Sequence, residues 1–381
     1  MQIIEDVQMD YSDVLIKPRR STIVSRKDAD ITRDYKYKTP NGIRSIRGTG
    51  IMQANMGTIG NFEVSKILLE KGLFACLHKH HSIDNLVEFY SSLPSEWFER
   101  CFISIGLRDK LDGYNKLDAI IKECGVCPPI CIDVPNGYIP QVKQLVIDAR
   151  NRYEDAFIMV GNVVTGDITE DLILSGANAV KVGIGGGCQC LTRKQTGCGR
   201  PQLSAVIECA DAAHQVGGMV CADGGITCPG DIGKAFGGGA DFVMIGGLFA
   251  GTDEAEGEVI TKYFSTNNEY TLKGYFSSEY SLKSVPVLET KKFKKFYGMS
   301  STLAQETFGN GKPNYRASEG RVSLVPYVGS VSDVVDEMLG GLRSTMTYLG
   351  ATKLKDIPKC CTFYKVNHQL NTMFENTTIG K

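Results

Sequence analysis

Eight short apolar runs punctuate the chain, at 50–55, 73–78, 101–106, 130–134, 157–161, 179–185, 219–225 and 242–247. Each has strand length, is rich in Ile, Val and Phe, and runs out into Gly, Asn, Asp or His. Between most of them, apolar residues recur at i, i+3 and i+4, which predicts helices around 62–69, 117–121, 142–149, 168–174 and 203–213. Continuous apolar runs, rather than alternating ones, predict parallel strands buried on both faces. Eight strand–helix units with right-handed crossovers predict an α/β protein with a closed (β/α)8 barrel, read as a single catalytic domain over 1–381. A doubly wound open sheet is the alternative, because repeats alone do not demonstrate closure. The spacing is even except for one longer step, from the run starting at 179 to the run starting at 219.

Composition narrows the class. With 42 Lys+Arg against 43 Asp+Glu in 381 residues, the net charge of −1 removes the electrostatic basis for a nucleic-acid partner. No apolar run approaches the roughly 20 residues of a membrane span. The opening Met1-Gln2-Ile3-Ile4-Glu5-Asp6 has no basic-then-apolar leader, and the closing Thr-Ile-Gly-Lys is not a Ser-Lys-Leu address. Thirteen cysteines, an odd number scattered through apolar segments, fit free thiols in a reducing cytoplasm rather than a disulfide framework. Cys124 and Cys127 have zinc-like spacing, but no second pair completes a site.

In a barrel, the chemistry sits at the C-terminal ends of the strands. Polar residues collect there: Asn55, His78, Lys79, His80, His81, Asp133, Asn136, Asn162, Asp223 and the loop 185–200. That loop is not the Gly-x-Gly-x-x-Gly of a dinucleotide fold, because Cys188 takes the third glycine's place. Gly224-Gly225 and Gly246-Gly247 close the seventh and eighth runs, where barrels hold phosphate on backbone N–H groups. Thr227-Cys228-Pro229-Gly230-Asp231 reads as a helix start with proline in the first turn. Asp223 suits a ribose diol, since a carboxylate accepts from two hydroxyls; as a plain helix or turn cap it is equally explained.

These segments resemble the IMP dehydrogenase/GMP reductase family. The resemblance is carried by Lys181-Val182-Gly183-Ile184-Gly185, Cys190-Leu191-Thr192-Arg193, Thr196-Gly197, Gly199 and Pro201-Gln202-Leu203-Ser204. Ala222-Asp223-Gly224-Gly225, the run 241–247 and Phe296-Tyr297-Gly298-Met299-Ser300-Ser301 extend it, over about 8–250 and 296–375. It is closer to the reductase branch. The second run reaches the third with no room for a regulatory CBS pair. Arg152-Tyr153, the single Arg-Tyr pair, falls in a predicted helix. Tyr315-Arg316-Ala317-Ser318-Glu319-Gly320 is similar to the reductase flap.

The resemblance implies reductive deamination of GMP to IMP and ammonia with NADPH. Cys190 is then the nucleophile, since a thiolate attacks an amidine-like carbon and departs readily. Thr192 and Glu319 are the proton-handling pair, because a shielded carboxyl group can serve as an acid near neutral pH. The implied substrate set is Asp223, Gly224, Gly225, Gly246, Gly247, Gly298, Met299, Ser300, Arg316, Ala317, Ser318 and Gly320. The implied cofactor set is Ser25, Arg26, Lys79, Asp133, Val134, Pro135, Ile184, Gly185, Met299, Tyr315, Arg316, Ser344, Thr345, Met346 and Thr347, its cations suiting a 2′-phosphate. Backbone groups of Gly185, Gly187, Cys190 and Arg193 are implied to hold a monovalent cation, potassium by its weak hydration, and the assembly is implied to be a homotetramer. Two other readings stand beside this one: an IMP dehydrogenase without CBS domains, and a catalytically weak phosphopurine-binding barrel. The chain departs from the family at Gly57, where a carboxylate is expected, and at Gly186 and Cys188, where a proline and a phosphate-binding serine are expected. Residues 252–295 are longer than the family's hairpin and read as a surface insertion, with Lys291-Lys292-Phe293-Lys294-Lys295 a solvated edge.

Overall fold

The computed structural model describes residues 3–187, 189–276, 279–308 and 318–367. Eight strands form the centre: β1 (Gly42–Gln53), β2 (Leu73–Leu77), β3 (Cys101–Ile105), β4 (Ile130–Asp133), β5 (Ile158–Val163), β6 (Ala179–Val182), β7 (Met219–Asp223) and β8 (Phe242–Ile245). Each pairs in parallel with its chain neighbour, and β8 returns to β1 through Val243–Ile51, Met244–Met52 and Ile245–Gln53. The sheet is closed, which removes the open-sheet alternative.

Helices α1 (Phe62–Glu70), α2 (Ile83–Ser92), α3 (Lys110–Cys124), α4 (Pro140–Arg152), α5 (Gly166–Leu174), α6 (Gln202–Gln215), α7 (Pro229–Gly237) and α8 (Val331–Leu349) follow the eight strands in turn. Among the described residues, no helix is long and apolar enough to cross a membrane. Helix α7 begins as its sequence implies. Pro229 occupies the first turn, and the Thr227 N–H and hydroxyl both donate to Asp231 Oδ2, at 3.0 and 2.8 Å. The segment between β6 and α6 holds a short helix, Thr192–Thr196, closed by Gly197 in the left-handed region (φ 71°).

The two ends of the barrel differ in kind. At the N-terminal end, Phe74, Phe102, Phe157 and Phe242 project from the first positions of their strands or the residues just before them and meet edge to face; Phe74 and Phe242 stand 5.2 Å apart at 90°. Tyr35 lies flat on Phe242 at 4.4 Å. It comes from an antiparallel strand, Arg33–Thr39, that folds back on the start of β1. These rings are buried and fill that end completely enough that Gly50 has no room for a Cβ, which would fall 2.3 Å from the Tyr35 hydroxyl. The C-terminal end carries polar groups instead, and the site lies there.

Between β8 and α8 the chain leaves the barrel as a long antiparallel hairpin, β9 (Val259–Phe276) and β10 (Glu279–Tyr297), with β11 (Val322–Pro326) joining the base of β10. Most of the stretch expected to be a surface insertion is this arm. One part of that expectation is overturned. Lys294 is buried, 2% exposed, because its ammonium donates to the carbonyls of Thr252, Asp253 and Ala255. It ties the arm to the barrel instead of lying on a solvated edge.

Candidate active site

The strand ends surround a cavity of about 470 Å3. Cys190, Thr192 and Glu319 line it. So do Asp223, Gly224, Gly225, Gly246, Gly247, Gly298, Met299, Ser300 and Gly320 of the expected substrate set. From the expected cofactor set, Lys79, Asp133, Val134, Pro135, Ile184 and Gly185 also reach it. One cavity thus gathers residues that lie far apart along the chain.

Cys190 sits on a tight turn, its N–H donating to the Gly187 carbonyl at 3.0 Å. The end of the expected flap, Glu319 and Gly320, runs with Arg321 antiparallel to this turn. Cys190 bridges Gly320, the Leu191 N–H donates to the Glu319 carbonyl at 2.6 Å, and the Arg321 N–H donates to the Gln189 carbonyl at 3.0 Å. Glycine is required at 320 because a Cβ would stand 2.7 Å from the Ser301 nitrogen. This pairing aligns three side chains: the Cys190 thiol donates to Thr192 Oγ1 at 3.0 Å, and that hydroxyl donates to Glu319 Oε2 at 2.9 Å. A thiol proton therefore has a continuous hydrogen-bonded route to a carboxylate. Gln189, which the sequence reading passed over, secures the pairing through Nε2 to Ser323 Oγ at 2.7 Å, linking the turn to β11.

Asp223 is not a cap. Its Oδ2 accepts from Asn162 Nδ2 at 2.8 Å and from Lys181 Nζ at 3.1 Å. The Lys181 ammonium, fully buried in the barrel, also donates to Asp133 Oδ1 at 2.7 Å. Burial opposes its charge, but Asp133 and Asp223 outweigh that and raise its pKa well above the ordinary lysine range. Asp133 shows the converse, burial working against its charge and Lys181 winning, so that its carboxyl is held below the usual range. Sequence reasoning placed Asp133 and Asp223 but gave Lys181 no role. The signal was one lysine in a strand whose other members, Ala179, Val180 and Val182, are all apolar.

A stacked aromatic group forms another wall. His78 and His81 lie parallel at 3.8 Å, and His80 stacks on Phe308 at 4.4 Å. Burial and the neighbouring histidines His81 and His80 push His78 down to about 3; burial and Lys79 push His80 down to about 4, so both rings are neutral at physiological pH. The departure at Gly57 belongs here. A Cβ would lie 2.6 Å from the Phe308 ring, so the missing side chain is the space that ring uses.

Other expected residues lie elsewhere. Ser25 caps the short turn Arg26–Asp28, which packs against α8 outside the cavity. On α8, the hydroxyls of Ser344, Thr345 and Thr347 bond the helix's own carbonyls of Gly340, Gly341 and Ser344, and Met346 is buried in the core. This chain's cavity is therefore not built from Ser25, Arg26 or 344–347. Ser318 is a tether, its hydroxyl donating to the Ser300 carbonyl at 3.3 Å and the Gly320 carbonyl at 3.0 Å. Tyr315, Arg316, Ala317 and Cys188 lie outside the described residues. Of the four expected cation-holding groups, the Gly187 carbonyl accepts from Cys190 and the Arg193 carbonyl from Gly197. Each keeps a second lone pair, which fits a loosely held monovalent ion. Among the described residues, no group of three or more His, Cys, Asp or Glu could hold a metal.

Comparison with known proteins covers this whole arrangement. The family model for the IMP dehydrogenase / GMP reductase domain matches residues 8–375. The chain is 43% identical over 369 residues to GMP reductase 2 of Homo sapiens, covering 97% of each. It is 41% identical over 374 residues to the GMP reductase of Vibrio parahaemolyticus, covering 98% of this chain and 99% of the relative. With the GMP reductase of Onchocerca volvulus it shares 43% over 376 residues, 98% of this chain and 95% of the other. With its closed barrel, its Cys190 turn and this near end-to-end match, the chain belongs to the IMP dehydrogenase/GMP reductase family.

Proposed function

We propose that this protein is a GMP reductase, an oxidoreductase that converts GMP to IMP and ammonia at the expense of NADPH, in cytoplasmic purine interconversion. The observation that carries the reading is the chain from Cys190 Sγ through Thr192 Oγ1 to Glu319 Oε2. Removing an amino group from purine C2 needs a nucleophile at that carbon and an acid for the departing nitrogen, and this chain supplies both. Cys190 Sγ bonds to C2 as a thioimidate while its proton passes through Thr192 to Glu319. Glu319 returns a proton, again through Thr192, to the leaving ammonia. Asp223 accepts from the ribose hydroxyls, and the turns at Gly224-Gly225 and Gly246-Gly247 receive the phosphate on backbone N–H groups.

Asp133, Val134, Pro135, Ile184 and Lys79 would hold NADPH, with Arg316 and Tyr315 assigned to the same group. Its chemistry would be to supply a hydride to C2, and the Cys190 thiolate then departs from that carbon to leave IMP. In a homotetramer, the half-buried Ser25 and exposed Arg26 would be the residues free to serve a neighbouring copy's cofactor, whereas the core residue Met346 would not. Carbonyls of Gly185, Gly187, Cys190 and Arg193 would hold potassium and stiffen the nucleophile's turn.

One spectrophotometric assay tests the reading. NADPH absorbance should fall with GMP present, and NAD+ with IMP should yield no sustained NADH. The opposite pattern identifies an IMP dehydrogenase, and no turnover in either direction identifies a binding barrel.

A further inference from the structure

Among the described residues, the Lys181 ammonium contacts two carboxylates that the proposed reaction assigns to different ligands. Its side chain is 2% exposed, whereas those of Asp133 and Asp223 are 36% and 21% exposed, so the two acids meet the cavity on one side and the buried ammonium on the other. Asp223, at the end of β7, faces the nucleotide; Asp133, at the end of β4, faces the cofactor. Asn162 Nδ2 also binds Asp223 Oδ2, so that oxygen is held from two directions and the plane of its carboxylate is set. The oxygens that Lys181 grips on the two acids are separated by no more than its two hydrogen bonds laid end to end.

We propose that Lys181 is a positioning residue that couples the substrate and cofactor subsites, one buried ammonium holding the Asp133 and Asp223 carboxylates in place for their two ligands. This rests on the GMP reductase reading of the cavity. Among the described residues, the groups bonded around the ammonium contribute no second cation. Asn55 Oδ1 lies at 3.5 Å and Met244 Sδ at 3.9 Å, and the thiols of Cys76, Cys131 and Cys221 act on it from β2, β4 and β7. Lys79 reaches Asp133 only at longer range, its own ammonium being bound to Asp109 at 2.6 Å. Without Lys181, two partly exposed carboxylates would face each other across its place, and their mutual repulsion would favour a shared proton as pH falls. Ligand binding at both subsites would then depend on pH, weakening as pH falls and the pair takes up a proton.

The test uses full-length protein as wild type, K181M, K181Q and K181R, with melting curves for each. GMP and NADP+ binding are measured separately by calorimetry at pH 6, 7 and 8, beside steady-state KM and kcat. In K181M and K181Q, both affinities should fall roughly tenfold or more at pH 6, because a buried charge pair has lost its partner. They should recover toward pH 8, and kcat per bound complex should change less. K181R, which keeps the charge, should restore pH-independent binding. If neutral variants bind either ligand as wild type does, or lose the same affinity at pH 6 and pH 8, the coupling role is overturned and Lys181 is only packing. K181Q retains a donor and judges the proposal should K181M not fold. If wild-type protein does not oxidise NADPH with GMP, the reaction assigned to the cavity fails instead, and the binding measurements still decide the role of Lys181.

Discussion

Replacing Glu319 with glutamine should separate the two half-reactions of the proposed cycle. The substitution is conservative in this setting. The Glu319 carbonyl keeps its bond from the Leu191 N–H, so the pairing that shapes the Cys190 turn is untouched. The glutamine carbonyl oxygen can still accept from the Thr192 hydroxyl at the 2.9 Å position that Oε2 occupies. What disappears is the proton that ammonia needs in order to leave. A positioned acid contributes about 10² to 10⁴ in rate, equivalent to roughly 3 to 5 kcal/mol of barrier. GMP-dependent ammonia release by E319Q should fall by that order. The reverse hydride step, from IMP to NADP+, needs no ammonia, and the thiol proton of the partly exposed Cys190 can pass to solvent in place of Glu319 as the adduct forms, so it should fall far less. Rapid mixing of enzyme with IMP and NADP+ would display it as a burst of NADPH absorbance equal to the enzyme concentration. Loss of the burst together with deamination would mean that Glu319 organises the whole site and is not a dedicated acid.

Cys190→Ala should abolish turnover while GMP still binds with near wild-type affinity, because the phosphate and ribose contacts lie on β7 and β8; substantial residual NADPH oxidation, or a larger loss from C188A, would move the nucleophile elsewhere. Gly57→Asp should displace Phe308 from His80 at a cost of about 1–3 kcal/mol for overpacking, read as a lower Tm and raised KM values that the added F308A substitution suppresses; an unchanged Tm would show that the ring does not depend on that space. Activity should rise when potassium replaces sodium or lithium at fixed ionic strength, and equal rates in the three salts would remove the cation from the scheme.

Much of the barrel was readable from sequence because its strands are buried on both faces and therefore spell continuous apolar runs. Helix α3 was only partly readable. Its apolar signal covers 117–121, whereas the helix spans Lys110–Cys124, since Gly113 and flanking polar residues break the periodicity. That glycine is there because Ile105 packs where its Cβ would be, at 2.8 Å. The strand Arg33–Thr39 escaped because Lys36 and Lys38 face outward and leave only Tyr35 and Tyr37 as buried positions. In the site, Cys190 was singled out by the family resemblance and Asp223 stood level with a cap reading; the structure puts both on the cavity wall. Lys181 and Gln189 were not legible, because their roles come from what the closed barrel and β11 bring to them across the fold. Ser25 and Met346 lie outside this chain's cavity, because a matching motif position does not say which cavity, or which copy's cavity, the residue serves.

The aromatic packing at the N-terminal end gives the barrel a floor. Among the described residues, the buried rings of Tyr35, Phe74, Phe102, Phe157 and Phe242 pack across the end opposite the site. Under the proposed reaction, every molecule must enter and leave by the rim where Cys190, Glu319 and Phe308 stand. Ammonia formed beside Cys190 would be held between the nucleotide and the cofactor until one of them moved aside. Traffic through that one doorway would then set the order of product departure, and it would give the rim residues control over turnover even when the bond-breaking steps are fast.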